Sequence, residues 1–139
     1  MLLWQKKDAV PVCRVAIAGD FLPASGLRLP SGVNWSDLAA GFAAYFSGVD
    51  AAIVNLECAL EVGARKPAPK YGLGDSFSAS PDVLDFPVGL GAGIVGMANN
   101  HAYDYGEAGV LQTRQAIVER GLIPLGTGRR LSGNVGICA

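Results

Sequence analysis

Four short apolar runs constrain what this chain can fold into more than any other feature. They occupy residues 14–18, 51–55, 93–98 and 122–125, and between the last two lies a segment with apolar residues at helical spacing, 106–120. Apolar runs of this length are typical of strands that are covered on both faces. Strands that alternate with helices predict an α/β fold, in which helices flank a mostly parallel sheet and right-handed crossovers join the strands.

Two further helical segments are predicted. Residues 36–47 carry apolar side chains on one face of a helix, and Asn34 or Ser36 is placed to cap its start. A short helix starts over residues 81–84, and Pro87 is expected to limit it. The side chains expected to face the core from the two longer helices are Leu38, Phe42, Tyr45, Phe46, Val110, Leu111, Ile117 and Val118.

Two segments rich in glycine are expected to be irregular. Residues 63–80 predict a long loop of proline, glycine and serine, of the kind that is often functional or mobile. Residues 126–128 read Gly-Thr-Gly and allow two interpretations, a cradle of backbone amides for a phosphate or a plain turn. A single Gly-x-Gly motif is a weak signal for a phosphate site, so the plain turn is the favoured interpretation.

Length and charge bound the class of protein. The chain has 139 residues, half of them apolar, which suits one domain with a buried core. Its net charge is −1 without a basic cluster, so nucleic acid is not an expected partner. No window approaches the ~18 apolar residues of a transmembrane segment. Residues 1–12 are interpreted as a leader and not a signal peptide, which predicts a cytoplasmic protein; an incomplete start would instead allow an extracytoplasmic or membrane-associated one.

The cysteines do not form a recognisable framework. They are odd in number, and no pair has the spacing of a zinc site or a redox motif. Cys58 adjoins Glu57 and could serve as a nucleophile, but a small buried hydrophobe is the favoured interpretation. The three cysteines are Cys13, Cys58 and Cys138.

Polar side chains follow the first three apolar runs. Because the carboxyl ends of parallel strands meet at one edge of a sheet, these side chains are expected to converge there. Oxygen and nitrogen ligands of this kind suit a divalent ion, with manganese, iron, zinc and magnesium all open. Such an ion acidifies a bound water and polarises a phosphoryl or carbonyl oxygen. The residues concerned are Asp20, Asn55, Glu57, Asn99, Asn100 and His101.

Each candidate ligand has a plainer alternative. Asp20 could close a turn, and Glu57 could be a solvated loop residue. One of Asn99 and Asn100 is expected to satisfy backbone groups in a tight turn, leaving Asn100 as the reactive one. The only histidine, His101, is the candidate proton donor.

Asp104 is a supporting candidate with a strong structural alternative. It lies three residues before Glu107, a spacing that resembles a capping box at the start of the helix over residues 106–120. In that role its loss would cost about 1 kcal/mol of stability. Metal ligation and helix capping are both left open for this carboxylate.

Residues 98–109 resemble the capsule-synthesis family, also called poly-γ-glutamate biosynthesis proteins. They read Ala-Asn-Asn-His-x-x-Asp-Tyr-Gly-x-x-Gly, and the agreement extends to Asn-Leu-Glu at 55–57 and Gly-Asp at 19–20. The long block is highly specific, whereas the two others are short. The resemblance covers roughly residues 14–130.

This resemblance implies the fold of calcineurin-like metallophosphoesterases, a sandwich of sheets flanked by helices. By motif, Asp20, Glu57 and Asn100 would bind metal and His101 would stand beside the reacting group. The resemblance also implies that family members are longer and that their second half supplies further strands and histidines. Residues 13–139 are therefore expected to be the N-terminal portion of an incomplete sandwich.

Three functions follow as expectations. The first is a metal-dependent, phosphoesterase-like hydrolase domain of capsule or poly-γ-glutamate synthesis, truncated here and of uncertain activity, acting on an anionic polymer or a small molecule. The second is a non-catalytic module that binds polymer or a partner of the synthesis or export system. The third is a remnant that folds poorly. An incomplete sheet would also leave an unpaired edge, through which the chain is expected to self-associate.

Overall fold

The computed structural model describes residues 13–23, 27, 29–60 and 76–127. The predicted leader and most of the predicted loop over residues 63–80 lie outside this part of the chain. In chain order the elements are β1 (Val15–Phe21), α1 (Trp35–Ala40), a first 3₁₀ turn (Ala43–Phe46), β2 (Ala51–Leu56), β3 (Ala59–Leu60), β4 (Ser78–Ala79), a second 3₁₀ turn (Pro81–Leu84), α2 (Asp85–Leu90), β5 (Ile94–Gly96), α3 (Gly106–Glu119) and β6 (Ile123–Leu125).

The predicted α/β architecture is confirmed. Four strands form a parallel sheet in the order β1-β2-β5-β6, and the crossovers contain the helices. Buried side chains form two clusters, one that includes α3 residues and one that includes residues of α1 and α2. In β2, Val54 belongs to the second cluster and Leu56 to the first, so this strand joins the two parts of the core. Within the described ranges, no helix is long and apolar enough to cross a membrane.

Strand β1 differs from its prediction. It runs through Asp20 to Phe21, and its register against β2 shifts between Ile17 and Asp20. Only Ala16 is fully buried, whereas Val15 is 41% and Ile17 71% exposed. The expectation of cover on both faces is therefore wrong for this strand: Ala16 packs into the second core cluster, whereas Val15 and Ile17, which alternate with it on the opposite face, are exposed.

The helix predicted over residues 36–47 is two shorter elements. Of the two candidate caps, Asn34 is the one that caps α1, in a capping box with Asp37, and α1 ends at Gly41 before the first 3₁₀ turn begins. Because the helical period is interrupted there, the predicted apolar face is not buried. Its exposed members are Leu38 at 38%, Phe42 at 48% and Tyr45 at 61%.

Helix α2 continues past the proline that was expected to limit it. Pro87 is the third residue of α2, within the first turn, where its missing N–H has no helical partner to lose. The helix ends at Gly91, which adopts a φ of +73°. Gly89 permits close packing on α1, since a Cβ at this position would lie 2.8 Å from the Cβ of Ala39.

Helix α3 matches its predicted bounds but not its predicted face. Val110 and Ile117 are buried, whereas Leu111 and Val118 are 48% and 50% exposed. Adjacent residues of an α-helix are about 100° apart around the axis, and here the core covers only the side on which Val110 and Ile117 lie, so Leu111 and Val118 turn toward solvent. The inward positions are instead extended by Thr113, whose Oγ1 accepts a hydrogen bond from the backbone N–H of Leu60 at 3.0 Å.

The structure contradicts the predicted loop at one short segment and agrees with the predicted turn at another. Ala59–Leu60 pairs in parallel with Ser78–Ala79, so the end of the predicted loop is strand. Gly126 makes a bend with a φ of +101°, as the turn interpretation predicts, and a Cβ there would lie 2.6 Å from that of Ala98. Gly128 is outside the described residues.

Candidate functional site

Three neighbouring strands bring their polar residues together at one edge of the sheet. Asp20 pairs with Asn55 across β1 and β2, and Asn55 pairs with Gly96 across β2 and β5. Asn99 follows β5 by three residues, in a turn. Because the strands are parallel and in this register, side chains from separate parts of the sequence become neighbours, as predicted.

Asn55 is the centre of this arrangement. Its Nδ2 donates to Oδ1 of Asp20 at 2.7 Å and to Oε2 of Glu57 at 2.5 Å. Its Oδ1 accepts from Nδ2 of Asn99 at 3.1 Å. One side-chain amide therefore holds two carboxylates beside each other and connects them to the turn after β5.

Asn99 holds the turn in place. Its Nδ2 also donates to the backbone oxygen of Leu56 at 2.7 Å, and its Oδ1 accepts from the backbone N–H of His101 at 3.1 Å. This is the backbone-satisfying role expected of one of the two asparagines. Asn100 is exposed to solvent, and its role as a metal ligand stays a prediction. We call Asp20, Asn55, Glu57, Asn99 and His101 the polar rim.

Asp104 orients the imidazole of His101. Oδ2 of Asp104 lies 2.9 Å from Nδ1 of His101 and accepts from the backbone N–H of Phe77 at 2.6 Å. The side chain of Asp104 is fully buried and that of His101 is 12% exposed. Because a carboxylate oxygen accepts, the hydrogen is assigned to Nδ1, and Nε2 is the ring nitrogen that this contact does not use.

The capping alternative for Asp104 is wrong. The residue at the N-cap of α3 is Tyr105, and no side chain caps this helix start. The carboxylate turns instead toward Phe77, whose ring also packs against the imidazole at a centroid distance of 4.5 Å. Sequence reasoning missed Phe77, because it lies 27 residues before Asp104 at the end of a segment read as loop.

Negative charge dominates the polar rim. Asp20 is exposed and Glu57 is half-buried, and within the described part of the chain neither has a cationic partner within salt-bridge distance. The neighbouring thiol responds to this charge: burial first, and then Asp104 and Glu57, raise the pKa of Cys58 to about 12. Cys58 is 2% exposed, so the structure supports its interpretation as a buried hydrophobe and not as a nucleophile.

The side chains of the polar rim can hold a hard divalent ion only if amide oxygens join the two carboxylates as ligands. Among the residues that the structure describes, no three His, Cys, Asp or Glu side chains are grouped as metal ligands. Asp20 and Glu57 form a carboxylate pair around one amide nitrogen. Carboxylate and amide oxygens are ligands that magnesium and manganese accept. The described residues therefore assemble no two-metal centre, and the binding of a single ion stays a prediction.

Comparison with known proteins identifies one family. A family model described as bacterial capsule synthesis protein PGA_cap matches residues 14–135. This range includes the whole polar rim and all the elements described above. No curated protein matches the chain.

Proposed function

The chain belongs to the family of bacterial capsule synthesis proteins, and on this premise we propose that its polar rim binds a divalent ion and acts as a metal-dependent hydrolase. The observation that carries the proposal is the amide of Asn55, which contacts the carboxylates of both Asp20 and Glu57. Two carboxylates held together, with no cationic side chain at salt-bridge distance among the described residues, create a local negative potential that favours a cation.

Asp20, Glu57 and Asn100 would hold the ion. The first two present carboxylate oxygens, and Asn100 is exposed beside the turn that Asn99 fixes. Magnesium and manganese suit these oxygens best, while iron and zinc remain compatible with a set that includes an imidazole. When bound, such an ion acidifies a water molecule and polarises a phosphoryl oxygen.

His101 would transfer the proton. Its Nδ1 donates to Asp104, which fixes the ring and directs the basic Nε2 away from that contact. A neutral imidazole in this tautomer accepts a proton at Nε2, and the imidazolium returns it to a leaving oxygen. Asp104 would act through His101 by holding the tautomer and the ring orientation.

The substrate class follows from charge. A divalent ion would offset the two carboxylates and allow an anionic group to approach the polar rim. An anionic polymer or a small phosphate ester satisfies this requirement, and the family assignment supports a polymer made during capsule synthesis, with poly-γ-glutamate as one candidate.

A non-catalytic binding module is the second candidate. It is favoured by the small donor set, since the described residues include a single histidine and no group of three His, Cys, Asp or Glu ligands. In this case the polar rim would bind an ion or a polymer of the capsule system without turnover. This module would contact the polymer, a synthesis partner or a second copy of the chain at the β1 edge.

Thermal melting with and without Mn²⁺ tests metal binding. At a concentration 100 times the dissociation constant, a bound ion stabilises by about 2.7 kcal/mol, which corresponds to a rise in Tm of roughly 5–10 °C. Asp20→Asn should abolish the rise. Asp50→Asn is the matched control, because Asp50 lies at the opposite, amino end of β2 and accepts from the backbone of Arg14. An equal response in both variants would refute the site.

Turnover of a generic phosphodiester separates the two candidates. The hydrolase predicts Mn²⁺-dependent hydrolysis of bis(4-nitrophenyl) phosphate to 4-nitrophenol and 4-nitrophenyl phosphate. His101→Ala should lose at least about 100-fold of this activity while the Mn²⁺-induced Tm shift persists. A metal-induced shift in the wild type without any turnover would instead assign the binding module.

A further inference from the structure

An apolar cavity of about 250 Å³ opens beside the polar rim. It lies between β1 on one side and α2 with the first 3₁₀ turn on the other. Its walls are apolar except at Asp20, which lines the cavity and also bonds to Asn55. The walls that the argument uses are Ala18, Phe42, Phe46, Phe86 and Leu90.

The walls are built from aromatic rings that hold one another in place. Phe86 stacks on Phe21 with ring centroids 4.4 Å apart and an interplanar angle of 16°. Phe42 meets Phe86 edge-on at 6.3 Å, and Phe42 is still 48% exposed. A half-exposed phenylalanine at a cavity mouth is apolar surface that a ligand can cover.

The backbone of β1 is irregular where it borders the cavity. Its pairing with β2 shifts between Ile17 and Asp20, an irregularity of the kind that re-aims side chains next to active sites. Gly19 lies within this stretch and lines the cavity, and a Cβ added to it would meet no atom within 4 Å. The strand therefore presents Asp20 at the border between the polar rim and the open cavity.

We infer that this cavity is a subsite for the apolar part of the substrate, so that of the two proposed substrate classes the polar rim takes the small phosphate ester, specifically an ester of an apolar alcohol. The inference rests on the proposed function for the position of the phosphate. Asp20 connects the two regions: a head group at the polar rim places the attached apolar group against Phe42 and Phe86. A cavity of about 150 Å³ is enough for benzene, so this one accommodates a phenyl ring or a short alkyl chain.

A ligand series tests the subsite. Dissociation constants for methyl, butyl and phenyl phosphate are measured by NMR titration of the Mg²⁺-loaded protein. Each buried methylene should raise affinity about fourfold until the cavity is filled, and phenyl phosphate should bind at least about tenfold more tightly than methyl phosphate. Equal affinities across the series would overturn the inference.

Three substitutions test whether the preference for phenyl phosphate arises in the cavity. Phe42→Ala removes an exposed wall and should weaken phenyl phosphate about fivefold while leaving methyl phosphate unchanged. Tyr45→Ala is the matched control, since Tyr45 is 61% exposed on the 3₁₀ turn that directly follows Phe42 and does not line the cavity. Ala18→Leu fills the cavity and should abolish the preference. Equal effects of Phe42→Ala and Tyr45→Ala would refute the placement.

Benzyl alcohol with the metal-free protein separates this inference from the proposed function. It carries no phosphate, so its binding reports on the cavity alone, through shifts in the amide signals of Gly19 and Leu90. Binding without any Mn²⁺ response would support the cavity and refute the metal site. A Mn²⁺ response without benzyl alcohol binding would support the metal site and overturn the subsite.

Discussion

Replacing Asp104 with alanine should destabilise the protein far more than the loss of a helix cap. The carboxylate is fully buried and accepts from Nδ1 of His101 and from the backbone N–H of Phe77. Alanine leaves both donors without this acceptor and removes atoms from a packed position. The substitution therefore acts on two contacts between segments that are distant in sequence.

The magnitude follows from the type of bond. Hydrogen bonds to a charged group contribute about 1.5–3 kcal/mol each, and two of them give an expected loss of roughly 3–6 kcal/mol. Loss of a helix cap costs about 1 kcal/mol. Asn34 provides the calibration within the same protein, because its side chain caps α1 by accepting from the backbone N–H of Asp37 at 2.9 Å.

Urea unfolding followed by circular dichroism measures the difference. Asp104→Ala should lower the free energy of unfolding by at least twice the amount lost in Asn34→Ala. Asp104→Asn keeps one acceptor oxygen and should fall between the two, which gives a readable result if the alanine variant does not fold. Equal losses of about 1 kcal/mol in Asp104→Ala and Asn34→Ala would refute the reasoning.

Three further outcomes are expected. At pH 8, iodoacetamide should label exposed Cys13 but not Cys58 in the folded protein, as peptide mass spectrometry can show; labelling of both at one rate would contradict the burial of Cys58. Because the pKa of Cys58 is raised to about 12, its thiol stabilises the fold fully below pH 9, and urea unfolding should show this contribution falling as pH rises toward 12; no decline would contradict it. Gly89→Ala should cost about 1–3 kcal/mol through the close α1–α2 contact, and Gly93→Ala, where a Cβ meets nothing within 4 Å, should cost less by the same measurement.

The architecture could be predicted because it depends on a pattern that is local in the sequence. Apolar runs and a helical period identify β2, β5 and α3 without knowledge of their neighbours. The same patterns fail where a contact decides the outcome. The helical period over residues 36–47 does not show the break at Gly41, and the pairing of Ala59–Leu60 with Ser78–Ala79 joins segments far apart in the chain.

The same division holds for the candidate site: its position in the sheet could be predicted, but its individual contacts could not. Parallel strand ends bring Asp20 and Asn55 to one edge, whatever the details of the register. The atom that contacts both carboxylates could not be predicted, because it depends on the pairing of Asp20 with Asn55 across two strands. The sequence leaves metal ligation and helix capping open for Asp104, and neither role includes its bond to Phe77, which depends on how two distant segments pack.

Paramagnetic broadening by Mn²⁺ tests the central claim most directly. At substoichiometric Mn²⁺, the side-chain amide signals of Asn55 and Asn99 and the backbone amide of His101 should disappear first. The side-chain amide of Gln115, which bonds to the carboxylate of Glu119 on α3, should persist as a control for nonspecific binding to an exposed acid. Broadening that starts at Gln115, or proceeds evenly along the chain, would show that no cation gathers these side chains.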